Sequence, residues 1–415
     1  MFEAGVAVLG IFILVIYFFG ARGRLSNVAN PAAMYLIFFA LPLALNRLRL
    51  SELQAVNWSS ETYILIFNSL LTFGLFPIIY MTVRGDSGEF SFKERLVRLN
   101  VAVVLVVVNL VLQLILNFTL SGYFVPAAAL GNITARFHTT EEGGALATFA
   151  TAIWYISFFF VAVRALSAKC QRSWIMLALL AAMPLSRLAR FDLISAIFSC
   201  VVYYLCRWKL APRAFLLMGF SFALIATAGA FLAKFRWSGG DVDAVSFSDL
   251  IEYTGPQGPF EVFAFLYTYY PLSFENIDRI VNPAIGPWDK TYGAILSLPL
   301  VVGILKMNYM FPEWPMMSSF DAIRDPLSSL ATVPTALPAF AMDFGVELSF
   351  VPMMMYSAVG VWLYSTRGRN RYILYSFCLY SINYLHFPFQ NNFMQPLMGT
   401  IMFVGLVMTR FLPSE

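Results

Sequence analysis

The sequence predicts an all-α polytopic integral membrane protein of about eleven transmembrane helices (ten to thirteen) with one large loop lodged before the last three. Three observations carry this prediction. The chain of 415 residues is 60% hydrophobic and only 12% charged, with a mean hydropathy of +0.73, against roughly 25% charged residues in an ordinary soluble domain. Apolar stretches long enough for a hydrocarbon core of about 30 Å recur along it. Lysine and arginine collect on alternate loops, as the positive-inside rule requires of a multi-pass chain.

In order, the apolar stretches are Gly5 to Phe19, Pro31 to Leu45, Thr62 to Val83, Val101 to Leu120, Ala147 to Val163, Trp174 to Leu185, Leu193 to Cys206, Ala214 to Leu232, Leu337 to Tyr364, Tyr372 to Leu385 and Leu397 to Phe411. The basic loops hold Arg22 and Arg24; Arg84, Lys93, Arg95 and Arg98; Arg164, Lys169 and Arg172; Arg207, Lys209 and Arg213; Arg367, Arg369 and Arg371; then Arg410. With these loops facing the cytoplasm, the N-terminus and the long segment Lys234 to Thr335 face outward and the C-terminus faces inward. The first stretch lacks a basic leader region and reads as a retained span, not a signal peptide. The chain therefore divides into helices one to eight (1–233), the outer loop (234–335) and helices nine to eleven (336–415).

The net charge of +4 is spent on orientation and gives no nucleic-acid footprint. Acids outnumber bases in the outer loop, so any anion there is held by specific arginines and not by a general field. Cys170, Cys200, Cys206 and Cys378 lie in spans or cytoplasmic loops without metal-ligand spacing, which leaves the loop without a disulfide. It must be ordered by packing on the membrane helices. Phe260, Phe263, Tyr267, Tyr270 and Phe274 recur at helical spacing within it, either as an aromatic shelf for a sugar ring or lipid tail, with Tyr267 and Tyr270 as glycan contacts, or as the buried face of an interfacial helix that Pro271 ends.

Charges at membrane depth single out the candidate site. The turn SRLARFD sets Ser186, Arg187, Arg190 and Asp192 between two spans, where two guanidiniums suit a phosphate or pyrophosphate, or else snorkel to headgroups. Lys234 and Arg236 emerge after another span as a second cationic pair or a juxtamembrane anchor. Arg279 and Arg324 are further candidates, each with acids nearby for a local salt bridge. Asp241 and Asp243 form an acid-x-acid triplet that reads as a cation ligand or a solvated turn. Asp343 and Glu347 are four residues apart at the head of an apolar helix, which puts both carboxylates on one face as a general base or as structural partners of an arginine. Of the two histidines, His138 lies in the outward turn ARFHTTEEGG as a possible polar contributor over a cleft, and His386 reads as an interfacial residue.

With those residues in view, SRLARFDLISAI (Ser186 to Ile197), KFRW (Lys234 to Trp237) and VPTALPAFAMDFGVELSFVPMMMYSAVG (Val333 to Gly360) make residues 180 to 365 resemble the bacterial oligosaccharide repeat unit polymerases, the Wzy-type O-antigen polymerases. The asparagine often found before the Val-x-Thr piece is replaced by Thr332. The resemblance implies a C-type glycosyltransferase architecture in the bacterial inner membrane with a periplasmic loop and active site. It implies a metal-independent enzyme without cofactor, which moves a glycan from undecaprenyl pyrophosphate to an incoming undecaprenyl-pyrophosphate-linked repeat unit. Its partners would be that lipid-linked oligosaccharide, the bilayer and a chain-length regulator. On this reading Arg187, Arg190 and Arg236 stabilise the leaving pyrophosphate, with Lys234, Arg279 and Arg324 as further binders, and Asp343 or Glu347 takes the acceptor's proton. An O-antigen ligase would carry a histidine in the large loop, and 234–335 has none. A lipid-linked glycan flippase would show repeated halves and polar residues through its spans.

Overall fold

The computed structural model describes residues 2–17, 28–55, 57–84, 90–92, 96–121, 144–168, 170–186, 190–208, 246–282, 335–388 and 396–411, with scattered positions between 223 and 234. Their regular structure is helical, apart from an isolated antiparallel bridge between Ser51 and Tyr253. Among the described residues, four helices are long and apolar enough to cross a membrane: Ser60–Arg84, Leu99–Phe118, Ala147–Ala168 and Glu347–Thr366. Shorter apolar helices occupy Gly5–Val15, Pro31–Asn46 and Leu397–Phe411. The eighth apolar stretch, Ala214 to Leu232, falls largely outside the described residues.

We number the helices α1 (Phe2–Val15), α2 (Pro31–Asn46), α3 (Ser60–Arg84), α4 (Leu99–Ser121), α5 (Gly144–Ala168), α6 (Gln171–Ser186), α7 (Arg190–Arg207), α8 (Val262–Tyr269), α9 (Glu275–Val281), α10 (Leu337–Phe344), α11 (Phe350–Thr366), α12 (Arg371–Tyr380, continued by Ile382–His386) and α13 (Pro396–Phe411). Starts follow local chemistry. Asn30 accepts from the Ala33 amide at 2.8 Å with Pro31 next to it, Ser59 accepts from Thr62, and Asn370 from Ile373 at 2.9 Å. α2 and α3 each contain a π turn, Leu36–Ala40 and Leu70–Leu75, closed by bonds from the Leu41 amide to Leu36 and from the Phe76 amide to Leu71. Each ends just before a proline, Pro42 or Pro77. Proline has no N–H for the residue four back, so the ladder slips to a five-residue spacing and the helix continues.

α4 displays the inside-out pattern of a bilayer helix. Val103, Val104, Val107, Val111, Leu114, Ile115 and Phe118 face outward, while Asn109, Gln113 and Asn117 are buried at four-residue steps. The Asn109 amide donates to Ser157 Oγ of α5 at 2.7 Å and to the Leu105 carbonyl at 2.8 Å. Such bonds join helices where the surrounding lipid is as apolar as the packing side chains. α5 is the central post, buried from Trp154 to Val163 and packed by α4, α6, α7 and α13. The same core includes an aromatic group of Tyr35, Phe39, Phe73 and Phe387, with ring centroids 4.9 to 5.8 Å apart.

The basic loops converge on one end of this bundle. Ser91 donates to the Gly368 carbonyl at 3.0 Å, Arg164 to the Val97 carbonyl, and Arg371 to the Thr409 carbonyl, while the Arg207 guanidinium lies 4.5 Å from the Phe90 ring centre. At the other end the outer loop is fastened by its acids. Glu275 of α9 is 3% exposed and accepts from Asn46 Nδ2, Gln54 Nε2, the Ala55 amide and Trp58 Nε1 at 3.0 to 3.4 Å. Asp278 accepts from the amide and hydroxyl of Ser59 at 2.6 Å each and from Thr62 Oγ1 at 2.8 Å. That places a carboxylate at the N-terminus of α3, where the helix dipole favours it.

The expected aromatic stripe is divided. The helix around it is only Val262–Tyr269, Phe260 and Glu261 take left-handed φ of 53°, and Pro271 opens a tight turn before α9. Phe260 and Phe263 are exposed, whereas Tyr267 and Phe274 are buried, so these residues do not share one face.

Candidate functional site

Trp154 Nε1 of α5 donates to the Leu180 carbonyl of α6 at 2.9 Å, which fixes the register of the two helices. From that tie α6 runs six more residues to Ser186 and α5 runs ten more to Gly144, so at 1.5 Å per residue the described end of α6 stops about 6 Å short of that of α5. α7 begins at Arg190, and Asp192 in its first turn stands about 22 Å from Arg207 at the basic end, within a core of about 30 Å.

Four side chains from three helices meet at this depth. Tyr155 of α5 donates to Asp192 Oδ1 at 3.1 Å, and Ser195 lies one turn along α7 from Asp192. Ser195 Oγ and His386 Nε2 of α12 are 2.5 Å apart. Tyr155, Ser195 and His386 are buried, and Asp192 is half-buried. Buried ionisable and hydroxyl groups inside an apolar helix bundle are costly unless they are paired. Tyr155 and Ser195 carry no chemical signal in the sequence, and His386, expected as an interfacial residue, is buried. Two signals of position were present: Asp192 and Ser195 are three apart and share a helix face, and His386 ends an apolar span.

The segment Thr335 to Phe344 returns to the bundle beside this cluster. The Ala336 amide donates to the Phe387 carbonyl at 2.9 Å, and Ser273 Oγ of the outer loop donates to the Pro388 carbonyl at 3.0 Å. α10 is buried from Ala336 to Met342 and packs Phe340 against Phe73 and Tyr356. It stops at Phe344, because Gly345 adopts φ 89° and ψ 167°, a conformation reserved almost wholly for glycine. This corrects the expectation for Asp343 and Glu347. They belong to separate helical segments, and Glu347 is exposed on the turn Glu347–Ser349. Asn68 Nδ2 of α3 holds that turn through the Val346 carbonyl at 3.2 Å and Ser349 Oγ at 3.1 Å.

The other sequence candidates separate. Arg187, Arg236, Arg324 and His138, with Asp241 and Asp243, lie outside the described residues, as do the side chains of Arg190 and Asp343. Lys234 is buried with its ammonium 3.0 Å from Glu261 Oε1, so its charge is matched within the protein and does not supply a free phosphate contact. Burial acts to raise the Glu261 carboxyl, but the Lys234 bond and charge and the Ser248 and Phe247 amides outweigh it and hold it below its ordinary value. Tyr267 is a tie and not a glycan shelf: its hydroxyl donates to Gln54 Oε1 at 2.6 Å and accepts from the Leu50 amide at 3.1 Å, and burial pushes its phenol up to about 12. Tyr270 is half-buried behind Pro271. Arg279 is half-buried on α9, and the neighbouring acids expected to pair with it, Glu275 and Asp278, are engaged by residues 46–62. The chain matches no protein-family model, no curated protein and no solved structure.

Proposed function

We propose that the protein is a glycosyltransferase of the membrane-embedded C type that polymerises lipid-linked oligosaccharide repeat units. In this reading eleven spans cross the bacterial inner membrane, with the N-terminus and outer loop in the periplasm and the C-terminus in the cytoplasm. The growing glycan passes from undecaprenyl pyrophosphate to a hydroxyl of an incoming undecaprenyl-pyrophosphate-linked unit, without metal or cofactor, and a separate protein regulates chain length. The observation that supports the reading is the proximity of the two segments on which the family resemblance rests. The start of α7 is tied through Ser195 to His386, and the returning segment is tied through Ala336 to Phe387, the next residue.

Cleavage of a sugar from pyrophosphate builds negative charge on the leaving group. Arg187 and Arg190 of the SRLARFD segment, with Arg236, are the donors that the sequence offers to stabilise it. Asp343 and Glu347 are the bases that the sequence offers for the acceptor hydroxyl. The outer loop, latched by Glu275 and Asp278, covers the glycans while the polyprenyl tails stay in lipid.

Purified protein incubated with a defined lipid-linked repeat unit, with and without chelator, tests the reaction and its metal independence together. Products longer than the input in both arms are expected, and no elongation in either refutes the proposal. In cells, deletion of the gene should leave surface glycan with single repeat units. A ligase or flippase predicts loss of even that unit, and long ladders in the deletion strain would refute the polymerase reading. Arg187→Ala and Arg236→Ala should each abolish elongation in protein that still reaches the membrane.

A further inference from the structure

The base of the outer loop packs beside a stretch of sequence that carries no charge. Residues Ala214 to Ala233 are all uncharged, and at 1.5 Å per residue they suffice for a helix of about 30 Å, the depth of a hydrocarbon core. The described end of this stretch is helical at Ala226, at Gly229 to Phe231, and at Ala233 and Lys234. Ala226, Ala230 and Ala233 are buried in one core with Phe247, Val262 and Phe265 of the loop, and a Cβ on Gly229 would sit 3.7 Å from Phe265 Cε1. Small residues admit this close approach. α8 therefore lies along the last two turns of the uncharged stretch, about 10 Å of helix. The outward side of the unit is apolar: Phe231, Phe260 and Phe263 are 37%, 46% and 49% exposed, and the rings of Phe231 and Phe260 meet edge-on with centroids 5.2 Å apart. Phe260 and Glu261 both take left-handed φ of 53°, a costly conformation for residues with a Cβ. The Glu261 carboxylate is held by Lys234 and by the amides of Phe247 and Ser248, which keeps the preceding ring turned against Phe231. Gly258 leaves space for the other ring, since a Cβ there would lie 2.9 Å from Phe263 Cδ2.

We propose that Phe260 and Phe263 are inserted among the acyl chains of the bilayer leaflet on the loop side, so that the base of the loop is wedged into lipid as well as latched by Glu275 and Asp278. The occupant is lipid because the exposed rings continue a surface that starts on the uncharged stretch itself: Phe231 lies one turn before Lys234, where the first charge appears, and Phe260 stacks on it. An apolar face set about 5–10 Å into the boundary of headgroups and acyl chains is the ordinary seat of an interfacial helix. The attachment is apolar and not electrostatic. Residues 246–272 contain no lysine or arginine, while Asp249 and Glu252 are exposed, so this segment offers no cation to an anionic headgroup.

The test uses the full-length protein in phosphatidylcholine nanodiscs, with 4-trifluoromethylphenylalanine placed singly at position 260 or 263 and read by fluorine NMR. The probe keeps the ring, so neither position is asked to lose apolar surface. Two further positions calibrate it: Val107 on the lipid-facing side of α4, and Thr254, exposed in the same loop unit. Dissolved oxygen concentrates among acyl chains, whereas a gadolinium chelate stays in water. The signals at 260 and 263 should broaden with oxygen as the Val107 signal does, and should lack the gadolinium broadening seen at 254. Gadolinium broadening equal to that at 254 would place the rings in water and overturn the wedge. Protection from both reagents would mean that a protein surface covers them, which overturns it equally. Replacing phosphatidylcholine by phosphatidylglycerol should leave the pattern unchanged, and insertion seen with the anionic lipid alone would refute an apolar attachment. None of these outcomes depends on whether the protein joins repeat units, so the transferase reading stands or falls separately.

Discussion

Replacing Glu275 by alanine should undock the outer loop from the membrane helices. The carboxylate collects four donors from residues 46–58, and its removal affects them unequally. Asn46 Nδ2 keeps the Pro271 carbonyl at 2.9 Å and Gln54 Nε2 keeps the Asn46 carbonyl at 2.8 Å. The Ala55 amide and Trp58 Nε1 lose the acceptors that held them at 3.1 and 3.0 Å. At about 1–3 kcal/mol for each orphaned donor, less the relief of an expensive buried charge, the docked state should lose about 2–4 kcal/mol. At tenfold per 1.4 kcal/mol, this raises the undocked population by about 30- to 700-fold. Limited proteolysis of the protein in detergent reads that population through the rate of cleavage within 235–335, and Trp58 fluorescence reports the same event. Glu275→Gln retains one acceptor oxygen and should fall between alanine and wild type. Wild-type cleavage rates for Glu275→Ala would refute the view that this carboxylate latches the loop.

The Lys234–Glu261 pair should make the base of the loop acid-sensitive. Because the Glu261 carboxyl is held below its ordinary value of 4.5 in the folded protein, its contribution is present above 4.5 and is lost as pH falls through the lowered value; Glu261→Gln should remove that step from a proteolysis profile taken between about pH 2 and 6. Gly360→Ala would place a Cβ 2.5 Å from Tyr384 Oη and 3.0 Å from Tyr380 Cε1, both on stiff rings in the packed core, and should cost about 1–3 kcal/mol in thermal unfolding, whereas Gly74→Ala meets the flexible Ile13 Cδ1 at 2.9 Å and should cost less. Gly345→Ala should cost a similar amount through backbone strain, and should depress elongation more than Gly360→Ala does because it displaces the junction of α10 and α11.

Hydropathy located the helices well because the bilayer requirement is local: α3, α4, α5 and α13 can be read from composition and length alone, and alternating charge foretold that the loops around Ser91, Val97, Arg207 and Gly368 would meet. The break within the ninth stretch was not legible, since AMDFGVELSF keeps an apolar pattern straight through Gly345 and only the backbone angle reveals the turn. The long-range pairs were equally hidden. Glu275 and Asp278 looked like partners for Arg279 three or four residues away, yet their bonds reach residues more than 200 positions earlier. His386 and Ser195, 191 apart, carry no local signature. The charged turn at Ser186 to Asp192 was visible because charge between two apolar stretches is rare.

The same contacts couple the latch to the cluster of Asp192, Ser195 and His386. α9 is fixed to the start of α3 by Asp278 and to residues 46–58 by Glu275, and it packs on α10. One turn before α9, Ser273 holds the Pro388 carbonyl, two residues from His386, while Ala336 at the head of α10 holds the carbonyl of Phe387 between them. A displaced α9 would therefore pull on both ties that set the backbone beside His386, and through the Ser195 contact on the first turns of α7. Movement of the outer loop and the geometry around Asp192 are linked by three hydrogen bonds and one helix packing contact, without any relay through the lipid-facing surface. For that reason loosening Glu275 should reach the start of α7 although the bonds of its own side chain go to residues 46–58.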